Sequence, residues 1–153
     1  MTLTTDPATI TTDAFTLTRL TGTLGARVEG GTLDDLLGDG QARADLRSAL
    51  HEHGVLVFKR AHPTHEQHIA LASVFGSPEP PHAQNVPHPD HPEICVFDSA
   101  EGYKADKWHA DETFSDQPSS GAVLRMVQRP SFGGDTVWTN VGAAYDRLSN
   151  GMK

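Results

Sequence analysis

The chain carries the stretch WHADETF at residues 108–114, in which His109 and Asp111 stand two apart. In a strand, residues i and i+2 point to the same side, so this spacing would aim an imidazole and a carboxylate at one point. Such a pair suits a borderline divalent cation. One further histidine would complete the two-histidine, one-carboxylate set that leaves three positions open on Fe(II). The bland alternative is a polar pair that serves only the surface, and H-x-D by itself does not decide between them.

Other histidines offer less. There are nine in the chain, and His82, His88 and His91 fall in a Pro-rich loop. His51 and His53 end a predicted helix on different sides and read as capping residues near the negative end of its dipole. His65 and His68 stand three apart and could share a helix face, but the spacing in HEQH is one residue short of the H-E-x-x-H zinc motif. Solvated helix surface is the simpler reading. No third ligand or general base at suitable spacing supports a zinc hydrolase. Neither Gly133-Gly134 nor Ser119-Ser120 stands in a phosphate-loop or nucleophile-elbow context.

The elements that must hold these residues follow from periodicity and punctuation. Residues 1–13, rich in Thr and Asp, read as a flexible start, and residues 14–153 as one domain portion. Residues 15–20 alternate and predict a strand. A glycine-punctuated turn-strand-turn unit follows. Residues 41–53 predict a helix with Ala42, Leu46, Ala49 and Leu50 on one face, Asp39 near the N-cap and Gly54 as the stop. VLVFK at 55–59 reads as a buried strand. Thr64 with Gln67 forms a capping box that starts a second helix, ended by Gly76. Residues 77–92 contain six prolines in sixteen positions, which predicts a loop without regular structure. Strands are expected at 93–97, around 108–114, at 121–127 and at 135–139, with a helix from Val141. There are no internal repeats.

Composition narrows the function. At 153 residues, 37% hydrophobic and 21% charged, the chain is long enough for one core. Its net charge of −8 argues against nucleic acid and anionic membranes as partners, since no Lys/Arg cluster offers a phosphate-binding face. Cys95 is the single cysteine, so an intrachain disulfide and a Cys-based zinc site are both excluded. The N-terminus lacks the features of a signal peptide, and no apolar run has membrane-spanning length, so a cytoplasmic location is expected.

The run from Trp108 through the GGDTVW turn resembles the Fe(II)- and 2-oxoglutarate-dependent dioxygenases of the taurine dioxygenase (TauD/TfdA) type. That family carries W-H-x-D-x-[ST]-F, a small-residue strand, then P-x-x-G-G-x-T-x-[WF]; here these are residues 108–114, 121–127 and 130–138. Weaker similarity reaches back to about residue 17, through GARVEG at 25–30, GVLVFKR at 54–60 and the helix ending in Phe75-Gly76. The resemblance implies the N-terminal part of a double-stranded β-helix (a jelly roll) with flanking helices, an α+β, mainly β fold that is incomplete in this chain. It implies that His109 and Asp111 are iron ligands and that Thr136 helps hold the distal carboxylate of 2-oxoglutarate. The implied reaction consumes O2 and 2-oxoglutarate, releases succinate and CO2, and hydroxylates a small organic substrate.

The same resemblance implies a second iron histidine and a 2-oxoglutarate arginine that lie beyond Lys153. The chain therefore reads as the N-terminal half of such an enzyme, inactive alone. The competing expectation is a non-catalytic remnant or binding module that pairs with another chain, a homo-oligomer included, through open strand edges. Ala105 stands where taurine-specific members carry an asparagine, and Pro81-His82 near the place of their early-loop histidine, which disfavours taurine. Glu112, beside Asp111, predicts a neutral or less anionic substrate, unless strand alternation turns it away.

Overall fold

The computed structural model describes residues 8–81, 85–102 and 105–153. The chain forms two compact units, one of residues 1–62 with 126–153 and one of residues 63–125.

The first unit is built on a four-stranded sheet in the order β1 (Thr9–Thr11), β2 (Thr16–Arg19), β3 (Ala26–Glu29), β4 (Leu56–Phe58). The first two pairings are antiparallel, and β3 pairs with β4 in parallel. A parallel partner needs a crossover, and helices α1 (Leu33–Gly38) and α2 (Gly40–His53) supply it. Both helix starts are written locally. Thr32 and Asp35 form a reciprocal capping box on α1, and the Asp39 carboxylate accepts from the Gln41 and Ala42 N–H groups at the start of α2. Gly54 ends α2 with φ of 68°, and a Cβ there would come within 2.8 Å of Leu24 Cδ1. Glycine meets both the backbone and the space requirement.

The core follows from alternation and helical period. Phe15 and Leu17 are buried, as are Ala26 and Val28 on β3, and Ala42, Leu46 and Ala49 along one face of α2. Strand β4, expected to be buried, is only half-buried. Residues 9–11, within the stretch expected to be flexible, pair as β1 along β2.

The second unit contains α3 (His65–Phe75), started by the Thr64–Gln67 capping box as predicted, with Leu71 and Val74 buried. A short hairpin pairs β5 (Val86–Pro87), in the Pro-rich stretch that was expected to lack regular structure, with β6 (Cys95–Val96), inside the strand expected at 93–97. Proline is tolerated where a strand lies at an edge, and the His88 N–H donation to the Ile94 carbonyl at 2.8 Å closes the hairpin beyond it.

Three expected strands do not form. Residues 108–114 run into a turn, and 121–127 and 135–139 are extended chain with no ladder partner among the described residues. A strand is stabilised by its neighbours more than by its own residues, and propensity alone does not create one. Among the described residues, every buried apolar side chain lies between Phe15 and Val74. Trp108, Phe114, Val127, Phe132, Val137 and Trp138 are all exposed. The helix expected from Val141 forms as α4 (Val141–Asp146), capped by the Asn140 side chain on the Ala143 N–H. No helix among the described residues is long and apolar enough to cross a membrane.

Candidate metal-binding pair and cosubstrate cavity

Both residues of the H-x-D pair lie in the second unit. His109 Nδ1 is 2.8 Å from the Lys107 carbonyl oxygen. A carbonyl only accepts, so Nδ1 carries a proton in this contact, and Nε2 is the ring nitrogen turned toward Asp111. Nε2 in turn lies 3.3 Å from Asp111 Oδ1. Two ligands each about 2.1 Å from one divalent cation, at angles of roughly 90–109°, stand about 3.0–3.4 Å apart. The pair therefore fits two sites around one ion. The Lys107 carbonyl is the kind of outer partner that sets the tautomer of a metal-bound histidine. Both side chains are exposed, and an exposed imidazole–carboxylate contact contributes little to stability. Among the described residues, no group of three or more His, Cys, Asp or Glu is arranged to hold an ion.

A turn follows directly on the pair. Residues 111–114 form it, with the Ser115 N–H donating to the Glu112 carbonyl at 2.9 Å. Glu112 has φ of 54°, the left-handed region that costs a non-glycine residue on the order of 1 kcal/mol. Its carboxylate accepts from the Ser119 N–H at 3.0 Å and from the Ser119 hydroxyl. Its carboxylate is thus hydrogen-bonded within its own loop and keeps its negative charge. Strand alternation does not orient it, because this segment is not a strand.

Thr136 belongs to the first unit. It is exposed and lines a cavity of about 280 Å³ together with Met126, Arg129, Phe132 and the Gly133-Gly134 turn. Arg129, read from the sequence only as the start of a turn, lines the same cavity as Thr136. The signal in the sequence was its position seven residues before Thr136, across a tight turn.

The remaining histidines are used differently from expectation. His53 is buried rather than capping from the solvent side, and its Nε2 has no hydrogen-bond partner among the described residues; Glu52 Oε1 is 4.0 Å away. The main-chain cap of α2 is made by the Gly54 N–H on the Leu50 carbonyl. His68 is not solvated surface: its Nε2 lies 2.8 Å from the Val123 carbonyl. His65 packs against His88 and His91 with ring centroids 4.4 and 4.8 Å away. His82, placed near a substrate position by resemblance, lies outside the described residues.

The His65 cluster has a pH consequence. Desolvation, followed by the neighbouring His88, His91 and Arg125, pushes the His65 pKa below its ordinary value, against an opposing pull from Glu66. The folded state then binds fewer protons than the unfolded chain in the acid range. The contribution of His65 to stability is present above about pH 6.5, its ordinary value, and is lost as pH falls through the lowered folded value. Amide exchange in α3 and the β5–β6 hairpin should accelerate between pH 7.5 and 5 beyond its intrinsic pH dependence. His65→Gln should flatten that added response.

Comparison with known proteins gives the family. Residues 16–153 match the family model described as taurine catabolism dioxygenase TauD, TfdA family. The chain belongs to the TauD/TfdA dioxygenase family. It is 35% identical over 149 residues to an alkylsulfatase of Acinetobacter baylyi, covering 93% of this chain and 44% of the relative. It is 38% identical over 146 residues to the (S)-phenoxypropionate/alpha-ketoglutarate-dioxygenase of Sphingobium herbicidovorans, covering 92% and 50%. An alpha-ketoglutarate-dependent sulfate ester dioxygenase of Pseudomonas putida is 32% identical over 139 residues, covering 86% and 44%. Among solved structures, a Burkholderia xenovorans protein described as an alpha-ketoglutarate-dependent taurine dioxygenase superposes with a TM-score of 0.78 at 32% identity. That match covers 91% of this chain and 50% of the other. The chain spans about half the length of the curated relatives it matches.

Proposed function

We propose that this chain is the N-terminal part of an Fe(II)- and 2-oxoglutarate-dependent dioxygenase that hydroxylates a small organic substrate. The jelly roll expected from the sequence is completed, on this reading, by chain beyond these 153 residues. The observation that carries it is the His109–Asp111 pair at 3.3 Å with the outer ring nitrogen held by a carbonyl. His109 Nε2 and an Asp111 carboxylate oxygen are two protein ligands of the iron. A further histidine and an arginine for the 2-oxoglutarate carboxylate come from outside this sequence, so the chain alone is inactive. Bound iron supplies the redox chemistry that couples the oxidative decarboxylation of 2-oxoglutarate to substrate oxidation.

The chain's own residues have separate tasks. The Lys107 carbonyl holds the proton on His109 Nδ1 and keeps Nε2 available. Asp111 brings one negative charge to a divalent cation. The Thr136 hydroxyl donates to a carboxylate oxygen of 2-oxoglutarate, and the cavity it lines with Arg129 supports that placement.

The test is succinate formation by the whole protein with Fe(II), O2 and 2-oxoglutarate, scored against sulfate esters, phenoxyalkanoates and taurine. The first two classes are drawn from the relatives' names, and taurine is expected to be turned over poorly because Ala105 replaces the asparagine. Iron-loaded protein that forms no succinate with any candidate or alone would end this reading. Thr136→Ala is expected to raise the KM for 2-oxoglutarate by about 10-fold or more, with a smaller change in kcat, since a hydrogen bond to a charged group contributes about 1.5–3 kcal/mol.

A second reading, a binding module that pairs with another chain, is favoured by the exposed apolar side chains between residues 108 and 145. The intact mass of the protein from its source separates the two. A mass near double 16.5 kDa supports the enzyme, and a mass of 16.5 kDa supports the module.

A further inference from the structure

We propose that Glu112 is a positioning residue for the metal pair: its carboxylate clasps Ser119 and so fixes the backbone that presents Asp111. The inference rests on the reading of His109 and Asp111 as iron ligands. It goes beyond that reading because the family pattern leaves the position after the aspartate open.

Three observations meet at this residue. Glu112 sits in the left-handed region with φ of 54°, an unfavoured conformation for a side chain with a Cβ, so something must hold it there. Its carbonyl accepts from the Ser115 N–H at 2.9 Å, which closes a tight turn directly after Asp111. Its Oε2 accepts both the N–H of Ser119, at 3.0 Å, and the Ser119 hydroxyl, which closes the larger loop of residues 112–119. The hydroxyl oxygen also stands 3.4 Å from Glu79 Oε2. A hydroxyl has one proton to give, and the nearer Glu112 takes it.

The physical consequence is local. Asp111 is exposed and has no burial to hold it, so its backbone geometry depends on the turn that follows. A carboxylate that accepts two hydrogen bonds from one residue makes a stiffer closure than a neutral side chain could. Opening the clasp releases residue 112 to the ordinary region of backbone space and swings the Asp111 carboxylate relative to His109 Nε2. Outer partners of metal ligands act this way, and their removal costs about 10–100-fold in metal affinity.

The experiment uses the full-length protein under anaerobic conditions. Fe(II) affinity is read from quenching of tryptophan fluorescence, and Co(II) absorption bands report the ligand geometry. Glu112→Ala should weaken Fe(II) binding about 10-fold and alter the Co(II) bands, while the melting midpoint of the apoprotein stays within about 2 °C, as for other surface changes. Ser119→Ala removes one of the two donors and should weaken binding about 3-fold, a fraction of that loss. Glu112→Gln keeps an acceptor oxygen and should stay closer to wild type than Glu112→Ala. Wild-type affinity in both Glu112→Ala and Ser119→Ala overturns the clasp and leaves the iron reading standing. Equal losses in Glu112→Gln and Glu112→Ala overturn it too, because charge rather than the hydrogen bonds would then be responsible. If His109→Ala binds iron as wild type does, the iron reading falls and the clasp falls with it.

Discussion

His109→Ala and Asp111→Ala are each expected to reduce Fe(II) affinity by more than about 100-fold and to remove succinate formation from the whole protein. Loss of an outer hydrogen bond costs about 10–100-fold, and loss of a ligand itself costs more. On the proposed reading the two residues occupy adjacent positions around one ion, so neither can take over for the other. Lys107 offers an informative comparison, because it contributes its backbone carbonyl and not its side chain. Lys107→Ala should therefore keep the affinity within a few-fold of wild type. Anaerobic titration with Fe(II) checks all three variants. Normal affinity in both ligand variants would mean that the 3.3 Å pair is a surface contact and nothing more.

Leu46→Ala is expected to be the most damaging change in the core. Leu46 is the one large side chain that is completely buried among the described residues, on the face of α2 that also buries Ala42 and Ala49. Both neighbours are already small, so little can collapse into the space. Removing a buried leucine side chain costs about 2–5 kcal/mol through lost transfer energy and the cavity left behind. For a chain of this size that lowers the melting midpoint by roughly 5–15 °C, measurable by circular dichroism. Val127→Ala makes the contrast, since Val127 is 82% exposed. In the 153-residue chain it should change stability by no more than about 0.5 kcal/mol. A clearly larger cost in the whole protein would show that further chain covers this face.

Local rules made some of the structure legible in advance. The starts of α2 and α3 and the end of α2 were readable because capping and positive-φ glycine are decided within four or five residues. The Thr64–Gln67 box and the Gly54 stop stand where the sequence puts them. The buried face of α2 was readable from its period. The strands at 108–114, 121–127 and 135–139 were over-read, because alternation shows what a strand would bury and not whether a partner is present. The strand expected at 93–97 forms in its centre as β6, but its hairpin partner β5 in the Pro-rich stretch was missed, because proline density argued against it.

The site divides along the same line. The residue types of the H-x-D pair, the T of the GGDT turn and the family pattern around them are properties of the sequence by itself. So is family membership, because the motif is a matter of order and spacing along the chain. Only the tertiary structure showed that His109 Nδ1 faces the Lys107 carbonyl and Nε2 faces Asp111. Only it showed that Glu112 is spent on Ser119, that His53 is buried, and that His65 packs against His88 and His91. Spacing states which groups can meet. Which lone pair or carboxylate is still free when they do depends on hydrogen bonds to residues that a local pattern does not specify.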